Sequence, residues 1–405
     1  MNKQSGVQKA FIMYIMFNIF ILIFSTISVV GVVDEGAQAT SEGEPPPPAN
    51  ESTSPSSKRD ADAFTGSMAD RIMLNDGHTI PVVGLGVALT AEATYNAVQW
   101  AMSVGYRLID TAAEESYGNE DSVGQAIREH GTNAIAANTT LPTTTATTID
   151  SNSENINIKR NDMFVTTKLW DSDHGFYATL ESFDESYDTL DIGTIDLYLM
   201  HSPFGGRLVE TWDAMLYVQS LGYVKSIGVS NFGVDHLQAI ANSGRPLPAV
   251  NQIEMHPLVY RDRTSLMQWC RENNIQIQAY GSVMHGYQDL LNIDPLIDMT
   301  SRYQKTSAQI LLRWALQHGF LIIPKSVRQE RIIENSELYD FTLSETDMTT
   351  LDSLGDDVEW HRRNIYKSDW NWNPIDEAPI HLGQTHFWPD YVGVKEFYFG
   401  EDEEL

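Results

Sequence analysis

Four short runs, Ile195-Asp-Leu-Tyr-Leu-Met200, Val224-Lys-Ser-Ile-Gly-Val229, Ala249-Val-Asn-Gln-Ile253 and Ile275-Gln-Ile-Gln-Ala-Tyr280, decide the fold. They are rich in β-branched and aliphatic side chains, and longer amphipathic stretches separate them, the alternation of strands with helices. Working outward, Val82-Val-Gly-Leu-Gly86, Arg107-Leu-Ile-Asp110 and Met163-Phe-Val-Thr-Thr-Lys168 precede them, and Phe320-Leu-Ile-Ile-Pro-Lys325 follows. That makes eight runs, and all but the first open a connection of helical character. The last connection before Phe320 shows the logic. Ala308, Leu311, Leu312, Ala315 and Leu316 fall at i, i+3, i+4, i+7 and i+8, one apolar stripe, with Thr306 and Gln309 as a capping box and Gly319 to close the helix. Eight parallel strands each followed by a helix give an α/β fold, a (β/α)8 TIM barrel. An open dinucleotide-binding sheet needs a glycine-rich first turn, and Gly84-Leu-Gly86-Val-Ala-Leu89 lacks the third glycine. Ahead of the first strand, Asn75-Asp-Gly77 between Met73-Leu74 and Thr79-Ile80 predicts an N-terminal hairpin placed to plug the barrel floor.

The chain has 405 residues, 42% of them apolar and 10% aromatic, enough for a large core and incompatible with a wholly disordered or fibrous protein. Its formal charge of −29 argues against nucleic acid as a partner, since phosphate backbones require clustered cations. One cysteine, Cys270, excludes an internal disulfide and a cysteine metal cluster, and its place in Leu266-Met-Gln-Trp-Cys270 marks a buried structural thiol. No metal site is assigned. Residues 1–33 contain a nearly uncharged run, Ala10 to Val33, behind Lys3 and Lys9. As a helix it spans about 36 Å, longer than a bilayer core. A retained signal anchor and a signal peptide cleaved after Ala37-Gln-Ala39 are both open readings. Each sends the remainder into the secretory lumen, and Glu401-Asp-Glu-Glu-Leu405 resembles an endoplasmic-reticulum retrieval signal. The sequons Asn50-Glu-Ser52 and Asn138-Thr-Thr140 are expected to carry glycans there, and only the N-terminal segment would touch membrane. Residues 34–68, with Pro45 to Pro48, read as a disordered linker, and 69–354 as the barrel with an inserted loop at about 131–157. Residues 355–405 form an aromatic-rich C-terminal extension.

Barrel enzymes carry their chemistry at the C-terminal ends of the strands. Those ends supply Asp110, Lys168, His201, Ser230-Asn231, Gln252, Tyr280 and Lys325, nearly all polar directly after an apolar run. Asp110 and Lys168 come from neighbouring strands, so their charges are expected to meet inside the mouth. A nearby ammonium favours phenolate, so Lys168 is expected to lower the pKa of Tyr117 below its usual value of about 10. Such a tyrosine donates a proton to a carbonyl oxygen, and His201 hydrogen-bonds the same oxygen.

As a set these motifs resemble the aldo-keto reductase family. They are Asp110-Thr-Ala112, Tyr117-Gly-Asn-Glu120, Thr167-Lys-Leu-Trp170, Leu197-Tyr-Leu-Met-His201, Gly228-Val-Ser-Asn-Phe232, Asn251-Gln-Ile-Glu-Met-His-Pro257, Ile323-Pro-Lys-Ser326 and Arg331-Ile-Ile-Glu-Asn335, in the family's order. The resemblance implies NADPH-dependent reduction of a small-molecule aldehyde or ketone by a chain expected to be a monomer. It makes Tyr117 the general acid, tuned by Asp110 and Lys168, with His201 orienting the carbonyl. It gives the nicotinamide carboxamide to Ser230, Asn231 and Gln252, and the ring face to Tyr280. It gives the adenosine 2′-phosphate to Lys325, Ser326 and Arg331, and the adenine side to Glu334 and Asn335. Two residues extra to the family spacing separate Ala112 from Tyr117, so the loop must bulge to return the phenol to Lys168, and Glu114 or Glu115 would then enter the mouth. Ser202-Pro203 replaces the family's usual Trp-Pro, and Gly281-Ser282 replaces Ser-Pro. A nucleotide-binding barrel subunit without efficient turnover is the alternative. A glycoside hydrolase using Asp110 and Glu254 as paired carboxylates is the weakest rival.

Overall fold

The computed structural model describes residues 66–88, 90–113, 116–133, 158–356, 375 and 378–383. The chain divides into two units, Arg59–Val392 and a second formed by Met1–Lys58 with Gly393–Leu405, and every described residue belongs to the first. The apolar N-terminal run, the linker up to 65, the insert from 134 to 157, both sequons and the tail's aromatics lie outside the described residues. Among the described residues no helix is long and apolar enough to cross a membrane.

Two strands, β1 (Arg71–Met73) and β2 (Thr79–Pro81), pair antiparallel around the Asn75-Asp-Gly77 turn, where Gly77 takes a φ of +89°. Asn75 Nδ2 donates to the carbonyl of Pro248, just ahead of a strand of the parallel sheet, which seats the hairpin at the N-terminal end of that sheet. The sheet itself holds β3 (Leu85–Gly86), β4 (Leu108–Asp110), β5 (Phe164–Leu169), β6 (Ile195–Met200), β7 (Val224–Ser230), β8 (Val250–Glu254), β9 (Gln276–Tyr280) and β10 (Leu321–Ile322). All eight run parallel and lie side by side in chain order. The sheet curls so far that its two edges meet, with Gly84 N donating to Ile322 O and Ile322 N to Val82 O. At this seam a Cβ on Gly86 would lie 2.9 Å from the carbonyl of Ile323, so only glycine allows the approach. The α/β class and the eight parallel strands match the expectation for a (β/α)8 chain.

Parallel strands covered on both faces read as near-continuous apolar runs, and every residue of β5 and β6 is buried. Helices α1 (Ala91–Ser103), α2 (Glu120–Asn133), α3 (Phe176–Leu190), α4 (Leu208–Ser220), α5 (Val234–Asn242) and α6 (Thr264–Glu272) follow β3 to β8 in turn. After β9 come α7 (Gln288–Leu291), α8 (Asp294–Tyr303) and α9 (Ser307–Gln317), and after β10 come α10 (Gln329–Glu334) and α11 (Glu345–Asp352). Helix α1 corrects the sequence expectation that the first run opens no helix. Thr94, Ala97, Val98, Ala101 and Met102 bury one stripe, faint in the sequence because two of the five are alanine and one is threonine. Helix α2 runs through Asn133, beyond the expected start of the insert. Cys270 is buried in α6, and burial pushes its thiol up to about 12. Two carbonyls of the C-terminal extension, His381 and Leu382, accept the first free N–H groups of α4 from Leu208 and Val209.

Candidate active site

Asp110 ends β4 and Lys168 stands one residue from the end of β5, so adjacent parallel strands deliver both to the same mouth. Lys168 Nζ donates to Asp110 Oδ1 at 2.5 Å and to the carbonyl of Thr111 at 2.7 Å, with its side chain fully buried. Gln252, from the third-last residue of β8, donates to the other oxygen of Asp110 at 2.6 Å and to Gln278 Oε1 at 2.8 Å. The loop carrying Tyr117 is stitched down at both ends. Ala113 N donates to Lys168 O, and the N–H groups of Ser116 and Tyr117 turn back onto Ala113 O, a one-turn bulge that absorbs the extra length. Asn119 accepts from Thr111 Oγ1 and donates to Thr94 Oγ1. Glu120 accepts from Thr167 and Ser186, so the tail of the Tyr117-Gly-Asn-Glu120 motif is scaffold. The bulge sets the phenol ring over Lys168, whose Nζ lies 5.1 Å from the ring centroid. Glu114 and Glu115 lie outside the described residues.

His201 follows β6 and packs edge-on against Tyr117 at 5.7 Å and Trp170 at 5.1 Å between ring centroids. Burial, with Lys168 adding to it, holds His201 well below the ordinary imidazole range, so the ring is neutral. Its Nδ1 lies 3.4 Å from Ser116 Oγ. The expected sign of the Tyr117 shift is corrected: its pKa is raised above 10. Removing phenolate from water costs more than Lys168 returns, and Asp110 beside that ammonium cancels part of its field. Lys168 itself is raised, because Asp110 and Tyr117 together outweigh its burial, and it stays a cation.

The remaining residues chosen from the sequence lie along the same opening. Twelve of the thirteen line one cavity of about 1510 Å³, and the thirteenth, Lys168, is buried against Asp110 in its wall. Asn231 holds a left-handed φ of +62°, donates to His201 O and Ser230 Oγ, and accepts from the hydroxyl of Tyr280 at 2.8 Å. Ser230 donates to Gln252 O, so Ser230, Asn231, Gln252 and Tyr280 form one fixed polar shelf. At the far end Lys325 and Arg331 are exposed and make no ion pair among the described residues. Ser326 accepts from Arg328 N, Glu334 accepts from Thr306 Oγ1 at 2.6 Å, and Asn335 is buried.

Sequence reasoning missed Gln278, Ser116 and the grouping of Glu254 with His256 and His285. Gln278 lies inside a strand and gives no end-of-strand signal. His285 comes from the turn after β9, and the parallel pairing of β9 with β8, Tyr280 opposite Glu254, brings it beside the end of β8. Glu254 accepts from both histidines, which hold its carboxyl far below the usual range against the upward push of burial. Asp110 is likewise committed to Lys168 and Gln252. Burial raises the Asp110 carboxyl in spite of Lys168 and Gln252, but both of its oxygens are taken by those two side chains, and Glu254 is held low, so the two do not form the free acid and base of a glycosidase pair.

Residues 83–356 match the profile described as "Aldo/keto reductase family". The chain is 36% identical over 294 residues to a glyoxal reductase of Bacillus subtilis (strain 168), covering 72% of this chain and 95% of that protein. It is 36% identical over 286 residues to the methylglyoxal reductase DkgA of Escherichia coli (strain K12), covering 70% of this chain and 92% of that protein. Among solved structures, a Bombyx mori aldo-keto reductase in complex with NADP aligns with a TM-score of 0.63 at 29% identity, over 79% of this chain and 100% of that one.

Proposed function

The chain belongs to the aldo/keto reductase family of oxidoreductases, and from that premise we propose that it reduces a small aldehyde or ketone with NADPH, using Tyr117 as the proton donor. One observation carries the reading: a protonated phenol and a neutral imidazole face one cavity, with a buried ammonium directly behind the phenol ring. The curled sheet, with its edges bonded at Gly84 and Ile322, is read here as a closed (β/α)8 barrel.

The residues fit the cofactor. Lys325 and Arg331, left without ion-pair partners among the described residues of a chain of charge −29, offer two cations to a ribose phosphate, with Ser326 beside them. Gln252 Oε1 and the second lone pair of Asn231 Oδ1 remain as acceptors for a carboxamide NH2, since the amide hydrogens of both side chains are already spent inside the protein. The ring of Tyr280, fixed by its bond to Asn231, offers a flat face to a heterocycle, and Glu334 and Asn335, which line the same cavity near Lys325 and Arg331, are assigned to the adenine end. NADPH, when bound, supplies the hydride.

The protein's own part is proton delivery. Tyr117 keeps its proton until negative charge develops on the carbonyl oxygen, and then donates it. Lys168, held by Asp110, stabilises the phenolate left behind. Neutral His201 donates a hydrogen bond to the same oxygen without competing as an acid. Short 2-oxoaldehydes are the first substrates to assay, because two of the relatives are named as glyoxal and methylglyoxal reductases.

The test is Tyr117→Phe. We expect NADPH-dependent reduction to fall by about 10²–10⁴-fold while NADPH binding is kept. Unchanged turnover would remove Tyr117 from the chemistry. Tight NADPH binding by the wild-type protein with no turnover on an aldehyde panel would favour the non-catalytic barrel subunit instead.

A further inference from the structure

Glu254 at the end of β8, His256 two residues later and His285 in the turn after β9 converge on the cavity wall. Nε2 of His256 lies 3.0 Å, and Nε2 of His285 2.7 Å, from the same Glu254 oxygen, and the three donor atoms all fall within 4.8 Å of one another. Two imidazoles and one carboxylate are the three-ligand set that zinc takes when it keeps a further position open. We propose that Glu254, His256 and His285 bind one divalent transition-metal ion of the zinc class at the rim of the active-site cavity.

Several features of the cluster support the assignment. A carboxylate only accepts, so each Nε2 that meets it carries a proton, and a metal ion substitutes for those two protons. Tetrahedral ligands about 2.1 Å from a metal lie roughly 3.4 Å apart, so each imidazole nitrogen needs to move about half an ångström away from the Glu254 oxygen. His285 can supply that movement, because its side chain is 45% exposed and it sits in a tight turn, Met284–Gly286. The turn is also strained: Met284 and His285 both hold left-handed φ values, +50° and +52°. His256 Nδ1 has no hydrogen-bond partner among the described residues. Without that outer bond the site should bind about 10–100-fold more weakly than a fully buttressed zinc site.

The cluster lines the same cavity as Tyr280, so any effect of the ion on turnover rests on the cofactor reading above. Binding of the ion does not. The experiment is calorimetric titration of the full chain with zinc chloride alone, repeated on His285→Asn and Glu254→Gln. Asparagine tolerates the left-handed turn, so His285→Asn should leave the fold intact. The wild-type protein should take up one equivalent more than either variant, or bind it about tenfold or more tightly. Cobalt(II) in place of zinc should show the intense visible bands of four- or five-coordination, lost in both variants. Identical titrations for all three proteins, or a cobalt spectrum no different from the hydrated ion, would overturn the proposal. NADPH binding, followed by fluorescence in metal-free samples, reports on the reductase reading separately.

Discussion

Lys168 holds the site together at the residue scale, because its ammonium is fully buried and reaches Asp110, the Thr111 carbonyl and the face of Tyr117 at once. Its position was legible in the sequence: a lysine closing an apolar run, beside an aspartate closing the run before. The consequence for Tyr117 was not legible, since the sign of a pKa shift depends on how much water the fold removes, and no spacing records that. With burial dominant, the phenol pKa stands above 10, and that gives a pH prediction. Reduction requires the protonated phenol, which is the neutral form, so a raised pKa extends activity upward in pH. The rate of carbonyl reduction should stay flat to about pH 10 and fall only beyond it. A profile of kcat against pH checks this, and a decline beginning near pH 7 or 8 would restore the lowered value that the lysine alone suggests. His201 adds no limb in the neutral range, because its pKa is held well below 6.5.

Helix α9 was the most legible element, and its cap does two jobs. Thr306 Oγ1 accepts from Gln309 N at 3.2 Å, Gln309 Oε1 accepts from Thr306 N at 3.1 Å, and Gly319 follows with a φ of +79°. The same threonine hydroxyl donates to Glu334 at the end of α10, so the cap also fixes a wall of the cavity. Thr306→Ala should cost about 1 kcal/mol in unfolding free energy, read from a urea midpoint. It should also weaken NADPH binding, by freeing Glu334, more than it weakens carbonyl binding. Helix α1 was less legible, since a stripe of alanine and threonine contrasts little with its polar face although the burial is complete. The seam strands were overestimated: β3 and β10 shrink to two residues each, because bridges at Val83 and Lys325 continue the pairing beyond regular ladder geometry. Strand ends are set by backbone partners across the curl, and residue type specifies those only weakly.

For the whole molecule, what matters is that the cavity is lined from both sides of the seam. Gly86 ends β3 and Val87 follows it, Ser230, Gln252 and Tyr280 come from the middle strands, and Lys325 to Asn335 follow β10. A ligand lying along that opening bridges parts of the chain far apart in sequence, so it should stabilise the fold as a unit. A ligand at about 100 times its dissociation constant adds about 2.7 kcal/mol to the unfolding free energy. For a domain of this size each kcal/mol raises Tm by about 2 °C, so saturating NADPH should raise it by about 5 °C. NADH lacks the 2′-phosphate and should give a smaller rise at the same concentration. Arg331→Ala removes one of the two cations left unpaired at the far end of the cavity, so it should shrink the NADPH shift towards the NADH shift while leaving the latter nearly unchanged. Arg331 is exposed and its guanidinium makes no ion pair among the described residues, so the substitution should cost the free protein little. Thermal melts of both proteins with each nucleotide therefore read the phosphate contact directly. Equal losses with NADPH and NADH would move that contact away from Arg331, and with it the preference for NADPH.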